Sequence, residues 1–167
     1  DARMSDDVIT SFKTDGLHRT PNEMHTRRNV SNSTTGVRVS YQQHQWQIGA
    51  GAVYSHFSRE ICPSPRIYNT YSLRGKEAAA AEIDYSWNSD KWALQGEAAI
   101  DKAGHPSITN TVKYAASQHY SFTLQQRSFS PRFVSPFGNT LQAGSRVANE
   151  HGLLLGCHLQ PLDRLTI

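Results

Sequence analysis

Residues 83–100, IDYSWNSDKWALQGEAAI, decide the fold class of this chain. Apolar and polar residues alternate on both sides of a short polar stretch at 88–91. A period of two is typical of β-strands, because successive side chains point to opposite faces of a sheet. The stretch therefore predicts an antiparallel hairpin with one apolar face and one polar face.

The same alternation continues through most of the chain. It predicts eight strands, at 37–41, 46–55, 79–87, 92–101, 108–114, 120–127 and 153–159, with an eighth beginning at 165–167. A further short strand is predicted at 8–12. We predict that residues 1–34, which are polar and weakly periodic, form a loop or plug-like segment. Residues 35–167 are predicted to be barrel strands, a fragment of a larger barrel, because the pattern stops in mid-strand at Ile167.

The connections between these strands alternate in length. The stretches 42–45, 88–91, 115–119 and 160–164 are short and polar. The stretches 56–76 and 128–150 are long, and a connection of intermediate length spans 102–107. The two long stretches contain prolines, which interrupt strand pairing. Short turns at one end and long loops at the other are typical of outer-membrane barrels, with the turns in the periplasm and the loops outside.

Large aromatic residues flank the short turns. All three tryptophans and four of the seven tyrosines do so, each on the apolar side of its strand: Tyr41, Trp46, Tyr85, Trp87, Trp92, Tyr114 and Tyr120. In a water-soluble sandwich such rings favour mid-strand positions, whereas at a bilayer boundary they favour the headgroup level. We therefore predict an all-β fold, an antiparallel transmembrane β-barrel of the outer-membrane type with about eight strands in this chain. The alternative is a soluble, lipocalin-like binding barrel, which has the apolar face inside.

Composition excludes several classes of protein. The 167 residues carry a formal charge of +3 and a mean hydropathy of -0.58, and no apolar run approaches the roughly 18 residues of a transmembrane helix. The two cysteines and eight histidines show no metal-ligand spacing. No nucleophile motif or phosphate-binding glycine loop is present. We therefore predict no catalytic, cofactor-binding or metal-binding residues, no cofactor, and no enzymatic activity.

Two features remain as weaker candidates for a site. Carboxylates at Glu82, Asp84, Glu97 and Asp101 share a predicted face and could bind a cation or act in acid–base chemistry, although Arg38, Lys113 and Arg127 are available to neutralise them. The loop 129–139 has three phenylalanines and two prolines and is predicted to fold into the barrel mouth or pack on a partner, as is 16–23 with Arg19 and Glu23 as anchors. The alternative for both is an ordered surface loop that binds no ligand.

Four stretches carry a resemblance to a known family: 15–20 with Glu23, 129–133, 137–139 and 149–152. Together they resemble outer-membrane β-barrel proteins of Bacteroidetes that are annotated by a helix-hairpin-helix, ComEA-like segment, and the likeness covers the barrel portion only. The resemblance implies a bacterial outer-membrane location. It transfers no DNA contact to any residue here, because no helix-hairpin-helix segment is present in this sequence.

The expected function is that of a non-enzymatic outer-membrane protein: a scaffold, channel or uptake component, which can belong to a larger envelope complex. The expected partners are the lipid bilayer or lipopolysaccharide, with other outer-membrane proteins or lipoproteins. A DNA-binding or DNA-uptake protein is one alternative, with nucleic acid bound only through a segment that this sequence lacks. An outer-membrane hydrolase is another, and it would require Ser, His or carboxylates to converge at the loop end.

Overall fold

The chain is described by a computed structural model, which covers residues 2–5, 7–12, 19–135 and 148–160. It is an all-β structure built on one nine-stranded sheet. The strands are β1 (Ala2–Ser5), β2 (Val8–Phe12), β3 (Asn32–Gln43), β4 (Trp46–Ile61), β5 (Gly75–Asn88), β6 (Trp92–Asp101), β7 (Pro106–Ala115), β8 (Tyr120–Phe129) and β9 (Glu150–Leu159).

Strands β3 to β9 form a meander in which each strand pairs antiparallel with the next. This order confirms the all-β, antiparallel part of the prediction. Within the described residues, β3 pairs only with β4 and β9 pairs only with β8, so this part of the sheet is not closed into a barrel. The eighth predicted strand, at 165–167, lies outside the described residues.

The register separates the side chains into two faces. We call one the apolar face; it carries Val37, Val39, Ile48, Ile83, Leu94, Val112, Leu124 and Leu155. We call the other the polar face; it carries Arg38, Gly49, Glu82, Asp84, Glu97, Thr111, Gln125 and Arg127. Each predicted strand from 37 to 159 has the facial assignment that its alternation indicated.

Most strands are longer than predicted at one end of the sheet, which we call the loop end, and the extensions are largest in β3, β4 and β5. Strand β4 continues to Ile61, β5 begins at Gly75, and β3 begins at Asn32, inside the region predicted as loop or plug. The other end, which we call the turn end, has the short connections at 44–45, 89–91 and 116–119. The long loop predicted to start at residue 56 therefore starts at Cys62 instead.

The N-terminal region is more structured than its composition indicated. Strand β2 matches the predicted strand at 8–12, whereas β1 and the short helix α1 (Pro21–His25) were not predicted. Strands β1 and β2 pair antiparallel, and Ile9 pairs with Ile61 at the end of β4. A hydrophobic cluster of Ala2, Ile9, Phe57, Ile61 and Ala78 joins this hairpin to the sheet.

No helix in the described part of the chain is long and apolar enough to cross a membrane.

Candidate functional site

The polar face holds a charged group that spans three strands. Arg38 on β3 reaches across β4 and binds two carboxylates on β5, with Nη1 2.7 Å from Glu82 Oε1 and Nη2 2.7 Å from Asp84 Oδ2. This contact requires that β4 places no side chain between Arg38 and the two carboxylates. A Cβ on Gly49 would lie 2.4 Å from Asp84 Oδ2, and one on Gly51 would lie 3.0 Å from Glu82 Oε1. The two glycines of β4 therefore make room for the ion pairs.

A second ion pair lies on the polar face of β8 and β9. Arg127 Nε is 2.5 Å from Glu150 Oε1, and both side chains are largely buried. Glycine again provides the space, because a Cβ on Gly152 would lie 2.8 Å from Arg127 Nε. Arg38 and Arg127 are therefore both bound to carboxylates of other strands, and these ion pairs link the strands across the polar face.

The four carboxylates proposed from the sequence as an acidic cluster separate into two groups, with Glu82, Asp84 and Glu97 near one another and Asp101 apart from them. Glu82 and Asp84 are bound to Arg38, and Asp101 is bound at the loop end. Glu97 lies opposite Asp84 in the register. Among the described residues, no group of three or more His, Cys, Asp and Glu side chains could hold a metal ion.

Asp101 organises the loop end. It is the last residue of β6, and its Oδ1 accepts hydrogen bonds from the backbone N–H groups of Ala103 and His105, each at 2.9 Å. Its Oδ2 lies 3.0 Å from His105 Nδ1 and accepts a 3.1 Å bond from the N–H of Val134. Gly104, at a φ of 83°, allows the tight turn between β6 and β7. Asp101 thus ties the β6–β7 turn to the loop that follows β8.

Asp101 is held in its charged form by these contacts. Burial raises the pKa of its carboxyl group, but the hydrogen bonds from His105, Val134 and Ala103 lower it more, so its pKa lies below the ordinary value of 3.8. The role of Asp101 is therefore structural, and its lone pairs are occupied.

Two hydrophobic clusters cover the polar face at the loop end. The first joins Phe57 and Ala78 of the sheet to the N-terminal hairpin. The second consists of Ala99, Phe129 and Phe133, with Phe129 fully buried. The chain after β8 packs onto this face of the sheet through Phe133. Its place in a barrel mouth stays a prediction, and residues 136–147 lie outside the described part of the chain.

The segment that was expected to be anchored by Arg19 and Glu23 is a helix start. Glu23 Oε2 accepts hydrogen bonds from the N–H groups of Arg19 at 2.7 Å and Thr20 at 3.1 Å, while Thr20 Oγ1 accepts from the N–H of Glu23. This reciprocal pair is a capping box for α1. Residues 13–18 lie outside the described residues, so a position of 16–23 in a barrel mouth stays a prediction.

The apolar face is exposed over most of its area. Its exposed members include Val37, Val39, Ile83, Leu153 and Leu155, and the last two are 73% and 72% exposed. At the turn end its aromatic rings meet across strands: the Trp46 and Trp87 ring centroids are 6.0 Å apart, and those of Trp92 and Tyr114 are 4.5 Å apart. The structure thus brings four of the seven predicted aromatic residues together, in two cross-strand pairs.

Three polar side chains on the apolar face are joined by hydrogen bonds, which the sequence analysis did not predict. The Tyr85 hydroxyl donates to Asn110 Oδ1 at 3.0 Å, and Asn110 Nδ2 donates to Gln126 Oε1 at 2.9 Å. The Tyr85 ring lies over Gly96, where a Cβ would be 2.6 Å from the ring. A signal was available, since Asn110 and Gln126 interrupt the apolar alternation of β7 and β8.

No family model, curated protein or solved structure matches this chain. The resemblance to the Bacteroidetes outer-membrane family therefore stays a prediction.

Proposed function

We propose that this chain is the wall of an outer-membrane β-barrel, a non-enzymatic scaffold, channel or uptake component of the bacterial envelope. The observation that carries the proposal is the contrast between the faces. The polar face has its ion pairs, its glycine gaps and its two hydrophobic covers, while the side chains of the apolar face extend away from the protein. Lipid is the medium that such a face requires.

The aromatic residues at the turn end support this placement. Trp46, Trp87, Trp92 and Tyr114 lie at one level of the sheet, on the apolar face. Interfacial Trp and Tyr rings put their apolar bodies in lipid and their polar atoms near water. From Trp92 to Ile100 the strand has about nine residues, enough for a tilted strand to cross the hydrocarbon. The Asp101 turn then lies outside the membrane.

The polar face suits the interior of a barrel. Its charges are of both signs, Arg38 and Arg127 are bound to carboxylates, and the N-terminal hairpin and the loop after β8 lie over the same face at the loop end. An interior covered at one mouth favours a scaffold or gated component over an open pore. In a lipocalin-like barrel the apolar face would line the cavity, and the ion-paired face would meet water.

Tryptophan fluorescence tests the proposal. The purified chain is reconstituted into phosphatidylcholine vesicles that carry a bromine quencher either near the headgroup or deep in the acyl chain. All three tryptophans lie at the turn end on the apolar face, so headgroup-level bromine should quench more strongly than deep bromine. Quenching at neither depth, with the protein remaining in solution, would overturn the membrane placement and favour the soluble barrel.

A further inference from the structure

A pocket lies at the loop end of the sheet, and neither the fold nor the barrel proposal accounts for it. Its volume is about 500 Å³, within the range of small-molecule sites, and it lies between residues 71–74, the 101–105 turn and residues 132–134. Leu73, Val134 and three alanines contribute apolar wall, and the other lining residues are aromatic, polar or charged.

The acidic groups of the pocket are already bound. Glu77 pairs with Lys102, and Asp101 accepts hydrogen bonds from the turn and from Val134. Two cationic groups, Arg74 and Arg132, line the same pocket. Among the described residues, neither guanidinium forms an ion pair with a carboxylate. The pocket therefore has positive charge that its own carboxylates do not neutralise.

Both arginines are held by neighbours that leave their charge intact. The Arg132 guanidinium lies over the Tyr71 ring, 5.7 Å from its centroid, which is a cation–π contact. Arg74 Nη1 lies 3.9 Å from Cys62 Sγ. A guanidinium that is oriented by a ring keeps its N–H donors available, and planar guanidinium groups bind phosphate and carboxylate oxygens in pairs.

We propose that this pocket binds a phosphate monoester on a molecule of sugar size. Arg74 and Arg132 can each offer paired N–H donors to the oxygens of a phosphate monoester, and together with Lys102 they outnumber the two carboxylates of the lining, Glu77 and Asp101. The phosphate can belong to a soluble sugar phosphate or to a lipid headgroup. The proposal does not depend on the membrane placement, because the pocket is formed by loop-end residues alone.

Calorimetric titration of glucose 6-phosphate into the full chain tests the charge requirement, with glucose as the neutral match. Arg132→Gln and Arg74→Gln should each weaken binding about tenfold, because each removes a charge-assisted contact. Arg27→Gln is the matched control: Arg27 is exposed, lies outside the pocket, and gives the same change in net charge. Equal binding of glucose, or an equal loss in Arg27→Gln, would overturn the proposal.

The native thiols locate the binding without any substitution. Cys62 contacts Arg74, whereas Cys157 lies near the turn end of β9, and both are exposed. Glucose 6-phosphate should slow the alkylation of Cys62 severalfold, whereas glucose should not, and any reaction of Cys157 should keep its rate. If Cys62 is not slowed, or if Cys157 is slowed equally, the pocket is not the site. This measurement remains informative if an arginine variant fails to fold.

Vesicles distinguish the two sources of phosphate. The chain is reconstituted in phosphatidylcholine with or without phosphatidic acid, whose headgroup is a phosphate monoester. Slower Cys62 alkylation in phosphatidic acid, lost in Arg132→Gln, identifies a lipid headgroup; protection by glucose 6-phosphate alone identifies a soluble ligand. Protection by neither refutes phosphate binding, whatever the outcome of the tryptophan experiment.

Discussion

The side chains on the two faces of the sheet have opposite surroundings. On the polar face, Arg38 and Arg127 are bound to carboxylates of other strands, and Gly49, Gly51 and Gly152 leave the space for them. On the apolar face, Leu153 and Leu155 are each more than 70% exposed, at 73% and 72%. In a water-soluble protein, charged side chains usually stay in contact with water and apolar side chains are buried. Here the charged face has the protein cover, which is the arrangement expected of a barrel surrounded by lipid.

The largest expected effect comes from placing one charge on each face of β9. Leu155→Arg puts a cation on the apolar face near mid-strand and should destabilise the chain in vesicles by about 2–4 kcal/mol. Leu154→Arg is the matched control, because Leu154 belongs to the same strand and faces the polar side. Its effect should stay below about 1 kcal/mol. Urea unfolding of both variants in vesicles measures the difference.

If the apolar face is exposed to water instead of lipid, Leu155→Arg should have little effect on stability. An exposed leucine in water can become arginine with a change within about 0.5 kcal/mol. A Leu155→Arg variant as stable as the parent chain would therefore contradict the lipid-facing assignment.

The next effect concerns the loop end. Asp101→Asn replaces one carboxylate oxygen with an amide N–H₂, which donates but cannot accept, so at least one backbone N–H loses its acceptor; the cost should be about 1–3 kcal/mol at neutral pH. Because the pKa of Asp101 is lowered in the folded state, the unfolded chain binds a proton first as pH falls. The parent chain should therefore lose stability from just above pH 3.8 downward, through the lower folded pKa.

Asp101→Asn should lack this part of the acid dependence. Asp90→Asn, at an exposed turn residue, is the control and should retain it. Denaturant midpoints recorded across the acid range give the result. If the two variants share one pH profile, Asp101 is not the group that fastens the two loops.

The smallest effect tests the glycine gaps of the polar face. Gly49→Ala would place a Cβ 2.4 Å from Asp84 Oδ2 and 2.8 Å from Arg38 Nη2, so the ion pair must move. We expect a loss of about 1 kcal/mol, because the displaced groups are side-chain ends. Gly156→Ala is the control, since its nearest contact would be an ordinary 3.8 Å. If both variants unfold at the same urea concentration, the gap at Gly49 has no energetic role.

The sequence predicted the strands best where the alternation was uninterrupted. The register of β5 with β6 has the pattern that residues 83–100 indicate, with Trp87 and Leu94 on one face and Asp84 and Glu97 on the other. Period-two alternation encodes the face of each residue directly, so these assignments needed no knowledge of the partner strand.

The prediction of the strand ends failed where apolar residues switch from one face of a strand to the other. Up to Tyr54 the even-numbered residues of β4 are apolar, whereas Phe57 lies on the polar face and is buried. The N-terminal hairpin covers that face, so an apolar side chain is favoured on the opposite side of the strand. Phe129 changes phase in β8 for the same reason, under Phe133. Only a known long-range contact explains such a change, so the pattern appeared to end in a loop.

Two other features had signals that single strands did not reveal. Helix α1 begins with Thr20, Pro21 and Glu23, a capping box with proline at the first turn, which indicates a helix start in a short polar segment. The partners of Arg38 depend on which strand lies two places away and on glycines between them. Register alone determines those contacts, so composition indicated only that neutralising arginines were available.

The most direct test of the lipid-facing assignment uses the two native cysteines. Both Cys62 and Cys157 are exposed, so water on all sides would allow both thiols to react. Cys157 lies on the apolar face opposite Phe122, whereas Cys62 follows β4 at the loop end. In intact cells, a membrane-impermeant maleimide should label Cys62 and leave Cys157 unlabelled until the protein is denatured. Equal labelling of both cysteines in the folded, membrane-embedded protein would contradict the assignment.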